Sequence, residues 1–259
     1  MTRTGFVAAM VAGVLACVCA GEVDAQWSRS SLQAQGVKLP RQWGLGVSYY
    51  KQDQPYGVDS LTLGIPGFPP GVADTLKVDN HTETTHAVLD YWLLPFLDVE
   101  VLFGKIKGTT DVALSQLNVG LPLTDIAVHY DGKVYGAGLT LAAGGERWFG
   151  SLTGQYTTAD LDVVDSSVKA WVVSPRLGLD FGNSTLYVGG MYQRPEEKHS
   201  GSYEVAGLGV VPYEVTLGGK NGWSYLAGLT WSIAENWVLV VESGFGVRDS
   251  TLVNLTYRW

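Results

Sequence analysis

The residues of this chain with types suited to catalysis are four histidines, His81, His86, His129 and His199, and a few closely spaced acids and hydroxyls. Asp79-x-His81 sets a carboxylate and an imidazole two positions apart, which in an extended chain places them on one face. Asp160-x-Asp162 does the same for two acids. An Asp/His pair facing an acidic pair is a way to activate water. His199-Ser200-Gly-Ser202-x-Glu204 holds the residue types of a nucleophilic triad, but follows the charged stretch Arg194-Pro-Glu-Glu-Lys198, which reads as solvated loop. His81 and His86, five apart, do not share a strand face, and no thiolate set completes a metal site. Two-residue patterns are cheap, so the expectation is no catalytic site, no metal and no cofactor.

A second chemistry lies in charges that recur on one parity of alternating segments: Asp90, Asp98, Glu100, Arg176, Asp180, Glu242 and Arg258. Between them the same parity carries small residues, among them Gly44, Gly46, Gly138, Ser174 and Gly228. The opposite parity is apolar, with Trp171, Leu177, Leu239, Val241, Leu255 and Trp259. Alternation of this kind is the signature of strands with two unlike faces. Ten strands are predicted: Gln42–Lys51, Thr82–Leu94, Leu97–Lys107, Lys133–Ala143, Arg147–Thr157, Val168–Phe181, Ser184–Gln193, Gly222–Ile233, Trp237–Phe245 and Thr251–Trp259. Pro95-Phe96, Gly144-Gly-Glu146, Gly182-Asn183 and Ala234-Glu-Asn236 are tight turns. Residues 52–81, 108–132, 158–167, 194–221 and 246–250 are the longer connections. Asp125–Asp131, Gly57–Asp79 and Gly201–Gly219 could add strand, so eight or twelve strands remain open.

The chain ends on Thr251-Leu-Val-Asn-Leu-Thr-Tyr-Arg-Trp259, with Val253, Leu255, Tyr257 and Trp259 on one face. Its start has the basic Arg3, an uncharged apolar stretch over 5–20, and Val23-Asp24-Ala25, a small-x-small site; this reads as a signal peptide cleaved after Ala25. Cys17 and Cys19 both fall inside it. After Ala20 no apolar run is long enough for a helical span. Aromatic residues sort into two groups. Trp43, Tyr91, Trp92, Trp148, Phe149, Phe181, Trp231, Trp237 and Trp259 lie toward the tight turns. Tyr49, Tyr50, Phe103, Tyr135, Tyr156, Trp171, Tyr192, Trp223 and Phe245 lie toward the long loops. Such belts suit rings at both interfaces of a bilayer.

On these features the chain resembles the small bacterial outer-membrane β-barrel proteins, a porin-like architectural class, over residues 42–259. The resemblance implies an all-β fold, a closed antiparallel transmembrane barrel with up-and-down topology. The domains are then a signal peptide at 1–25, an N-terminal periplasmic segment at 26–41 and the barrel at 42–259. It further implies an outer-membrane location and insertion by the assembly machinery, which would read Leu255, Tyr257 and Trp259. Outer-membrane lipid and lipopolysaccharide are the implied surroundings. The Asp/His set is similar in kind to that of omptin proteases, without a matching motif around it.

The inward charges can line a narrow hydrated channel with more acids than bases, or form a salt-bridged network that fills the lumen. Three loop tips are apolar and rich in Gly and Pro, with Ile65, Pro66 and Phe68 in the first, Leu121 and Pro122 in the second, and Pro212 in the third. They suit contact with lipid, an apolar solute or one another. A net charge of −8 argues against nucleic acid as a partner. The leading expectation is passive passage of small solutes whose identity the residues do not name. A plugged surface barrel and a rim-site hydrolase are the alternatives.

Overall fold

The computed structural model describes residues 39–64, 76–116, 124–145, 147–162, 167–205, 209–219 and 222–259. Eleven strands form one antiparallel sheet: β1 (Trp43–Leu63), β2 (Val78–Leu94), β3 (Leu97–Val112), β4 (Ile126–Gly144), β5 (Trp148–Leu161), β6 (Ser167–Asp180), β7 (Ser184–Val205), β8 (Gly209–Gly219), β9 (Trp223–Ala234), β10 (Trp237–Gly246) and β11 (Asp249–Arg258). β11 returns to β1, in register from Gly44↔Arg258 to Asp53↔Asp249. Trp43 and Trp259 exchange backbone hydrogen bonds of 3.2 and 3.1 Å at the seam. Closure leaves no edge, so every backbone polar group can be paired inside lipid.

Ten strands make the membrane wall, in the order β1 to β7, then β9, β10 and β11. The wall is an up-and-down antiparallel barrel, as the alternation predicts. A tight turn falls at Gly182-Asn183, where Gly182 takes a φ of +91° that side-chain-bearing residues avoid.

Strand length then decides the upper architecture. A tilted span needs about 9–11 residues. β9, β10 and β11 have 12, 10 and 10 and only cross. β1 and β7 have 21 and 22 and run on beyond the bilayer. Their upper halves would be open edges, and β8 covers both. It pairs with β1 from Tyr56↔Gly219 to Leu63↔Tyr213 and with β7 from Glu196↔Gly218 to Val205↔Gly209. The wall therefore steps from ten strands to eight above the membrane.

A proline marks each step. β1 pairs with β11 through Asp53 and with β8 from Tyr56, and Pro55 lies between. β7 pairs with β9 through Tyr192 and with β8 from Glu196, and Pro195 lies between. Proline has no N–H to orphan where a strand changes partner.

Several expectations need correction. The segments 52–81 and 194–221, expected as loops, are largely strand, because both remain alternating and can pair with each other through β8. The third predicted tip is no loop: Gly209-Val-Val-Pro212 opens β8, with Val211 buried and Pro212 exposed on the outer side. Strand β4 does extend through Asp131, from Ile126. Ile65, Pro66, Phe68, Leu121 and Pro122, and the signal-peptide region, lie outside the described residues.

The aromatic belts form by cross-strand contact. Near the tight turns Trp43 packs on Tyr91 with ring centroids 4.6 Å apart, and Trp237 packs on Tyr257 at 5.2 Å. Toward the loops Tyr156 packs on Trp171 at 4.7 Å and Tyr192 on Trp223 at 5.6 Å. Tyr50, Trp92 and Phe149 are corrections: their strand parity turns them inward, and Phe149 meets Tyr187 edge-on inside the barrel.

Candidate functional site: the barrel interior

The interior is built in layers, and the lowest carries most of the sequence-predicted charges. Arg258 reaches Asp90 at 2.6 Å. Asp98 lies on the neighbouring strand and is buried. Glu100 accepts the Gln155 amide at 2.8 Å. Above them Arg176 clamps Glu242 with two bonds, Nε to Oε2 at 2.7 Å and Nη2 to Oε1 at 3.1 Å. This planar two-point geometry is the strongest form of such a pair. The guanidinium also lies over the Tyr187 ring, 5.9 Å from its centroid. Thus Asp90, Asp98, Glu100, Arg176, Glu242 and Arg258 share one interior. Asp180 does not join them. It sits exposed at the last position of β6 and accepts the Gly182 N–H at 2.7 Å, capping the β6–β7 turn.

The small inward residues make room for these side chains. A Cβ on Gly44 would collide with Asp90 Oδ2, one on Gly228 would collide with the Tyr187 ring, and one on Gly138 would fall 2.5 Å from Glu100 Oε1. Beside these three glycines the space is taken by neighbours across the sheet.

The upper interior is a packed core. Leu102, Ile106, Tyr130, Val134 and Ala159 form one apolar layer. Over it lies a polar layer in which Asn80 Nδ2 donates to Thr110 Oγ1 and Tyr130 Oη, both at 2.9 Å, and Thr110 donates to Glu197 Oε1 at 2.8 Å. Glu197 has 0% of its surface exposed. Burial and the Glu197 charge push the Tyr130 hydroxyl up to about 12 and hold Tyr56 well above the usual tyrosine range. A second apolar layer, Tyr56, Val58, Leu76, Val78, Leu114, Val211 and Leu217, closes the eight-stranded collar. Arg248, 1% exposed, fills the step between ten and eight strands. Its guanidinium donates to Gln54 Oε1 at 2.9 Å, Gly222 O at 3.1 Å and Gln193 O at 3.4 Å.

Glu197, Asn80, Tyr130 and Arg248 were not singled out by alternation. Glu197 falls in a stretch rich in charge that reads as solvated. Its inward parity with Pro195 was the available signal, and it needs β7 to continue as strand.

Among the described residues the catalytic candidates have no common site. His81 points outward, bonded to Asp53 across β1 and 3.5 Å from Glu83 Oε1. Asp79 is held outside by Lys77 at 3.0 Å. Asp160 is outward on β5 and accepts the Tyr135 hydroxyl at 3.1 Å. Strands β3 and β4 separate them, so the Asp/His pair does not face the acidic pair. His129 is outward on Thr109 at 2.9 Å. His86 is inward, with its Nδ1 lacking a protein partner. The side chains of His199 and Glu204 lie outside the described residues. Leu255 and Tyr257 on β11 and Trp259 just after it form an exposed outward row beside the seam.

An even-numbered closed barrel, antiparallel throughout, with an apolar outer band between two aromatic belts defines the class of bacterial outer-membrane β-barrel proteins. The chain has the fold of that class. Solved structures similar to it include the translocator domain of the autotransporter NalP from Neisseria meningitidis, at 13% identity and TM-score 0.41 over 93% of this chain and 100% of that one. The outer membrane protein OprG from Pseudomonas aeruginosa is similar at 12% identity and TM-score 0.44, over 85% and 98%. The outer membrane protease OmpT from Escherichia coli is similar at 9% and 0.42, over 86% and 99%. No family model matches the chain, and no curated relative does.

Proposed function

We propose that this protein is an outer-membrane barrel with a closed lumen, and that its working surface is the outer wall and the strand-built extracellular collar. The observation that carries the reading is the apolar core inside the collar, where Leu76, Val78 and Leu217 are each at most 2% exposed. A passage for ions or polar solutes cannot run through such a core without unpacking it. Of the charges below, Arg258 pairs with Asp90 and Arg176 with Glu242 inside the barrel. In this reading Pro212, exposed on β8, belongs to the surface that meets lipid or a partner at the cell exterior.

The test is conductance in a planar bilayer. The intact barrel is silent, and a variant with residues 199–219 replaced by a short Gly-Ser turn, which removes β8, conducts. Discrete steps from the intact protein at low voltage would overturn the proposal.

A second reading, a solute channel that opens on displacement of the collar, is favoured by one feature. His86 Nδ1, Trp92 Nε1 and Asp98 Oδ1 are buried without protein partners, the condition under which interior water binds. The lower lumen then acts as a hydrated acidic vestibule, with Asp90, Asp98, Glu100 and Glu242 favouring cations. Steps appearing only after a stimulus, and shifting selectivity in Glu100→Gln, would establish it.

A further inference from the structure

Lys105 on β3 and Lys133 on β4 stand directly opposite each other in the ladder. Both point outward and are exposed. Like charges placed so repel one another, and neither lysine makes an ion pair with a described residue. The next lysine along β3, Lys107, is engaged by Glu83 at 3.0 Å. The acid opposite Lys133, Asp160, is turned to the Tyr135 hydroxyl at 3.1 Å.

One step toward the bilayer lies a second opposed pair, Phe103 and Tyr135, exposed to 61% and 41%. They belong to the aromatic belt on the extracellular side, which sets the level where hydrocarbon gives way to headgroups. The two ammonium groups, with three donors each, thus stand at the headgroup level of the outer leaflet, above an apolar footing that suits acyl chains.

We propose that Lys105 and Lys133 form a site for a phosphorylated lipid of the outer leaflet, the phosphate lying between the two ammonium groups and the acyl chains against Phe103 and Tyr135. The bound phosphate removes the repulsion of the lysine pair. The site goes beyond the closed-lumen reading and is independent of it, since it lies on the outer wall.

The test titrates the full barrel, in uncharged detergent, with a diphosphorylated bacterial lipid A and with the same lipid stripped of phosphate, read by native mass spectrometry. The unaltered protein prefers the phosphorylated lipid by about tenfold or more. Lys105→Gln with Lys133→Gln abolishes the preference, and Lys105→Arg with Lys133→Arg keeps it. Both positions are exposed, and heat-modifiable migration in gels checks that the variants are folded. The proposal is overturned if the glutamine double variant keeps the preference, or if inorganic phosphate displaces the lipid at equal concentration, which would define a free-anion site.

Discussion

Arg176 and Glu242 show how an inward charge is tolerated here. Their side chains are 19% and 6% exposed, and each supplies the other's partner at 2.7 Å. Removing one member strands the other in a poorly hydrated interior, a loss of about 3–5 kcal/mol, whereas removing both with apolar residues of similar volume is far milder. Glu242→Ala therefore destabilises the barrel by about 3 kcal/mol, and Arg176→Met with Glu242→Met recovers most of that, measured by urea unfolding in detergent or lipid vesicles. Single and double variants of equal stability would show that the pair contributes nothing. The tyrosines of the collar make a pH prediction. Tyr130, held up at about 12, favours its neutral form in the fold more than in the unfolded chain. Its contribution is complete below the ordinary tyrosine value of about 10. It is lost as pH rises from there through about 12. Unfolding midpoints should be steady below about pH 10 and fall above it, with a shallower fall in Tyr130→Phe.

At the scale of elements, the informative feature is that strands of unequal length meet in one wall. Where β9, β10 and β11 stop, β1 and β7 continue, and a free edge of that length invites pairing with other chains. β8 meets both edges, Pro55 and Pro195 sit at the changes of partner, and Arg248 fills the step from within. Arg248→Ala removes the donors to Gln54, Gly222 and Gln193 and opens a cavity beneath β8, a cost of about 2–4 kcal/mol. Proteolysis at the C-terminal end of β8 should become faster in that variant while the aromatic signals of the membrane wall stay unchanged. Equal proteolysis rates would show that β8 is held by its ladders alone. Pro195→Val restores an N–H where the strand changes partner and is expected to cost about 1–3 kcal/mol in urea unfolding, and no loss would show that the proline is not there to spare a donor. The alternation of β2, β3 and β4 was readable up to the belts. Beyond them the polarity of the two faces inverts, because the outside is now water and the inside a core. On β2 Asp79, His81 and Glu83 point outward on the parity that carries Leu89 in the membrane, and Val78 is buried. A pattern that changes sign within one strand reads as the end of that strand.

The whole molecule is a closed ring whose seam joins its first strand to its last. Trp43 and Trp259 share two backbone hydrogen bonds across that seam, and their rings stack 6.4 Å apart. Trp259→Ala removes the stack and the last member of the outward row Leu255, Tyr257 and Trp259. The outcome expected is slower insertion into lipid vesicles, followed by gel mobility over time, with little change in the strand content finally reached. An unchanged rate would separate the residue from any role in assembly.

Local order was settled by the sequence alone. Alternation needs only the two-residue period of an extended chain, so the lipid-facing parity, the inward charges other than Asp180 and the closing strand could be read before any fold was known. The tight turn at Gly182 was equally local. The fate of the interior was decided only by tertiary structure. Whether Gly44 and Gly138 leave a pore or seat Asp90 and Glu100 depends on the register between strands, which no single strand encodes. The same holds for Glu197. A glutamate among charges reads as solvated until β7 is known to continue past Pro195, and it then meets Asn80 of β2 and Thr110 of β3, 117 and 87 positions away along the chain.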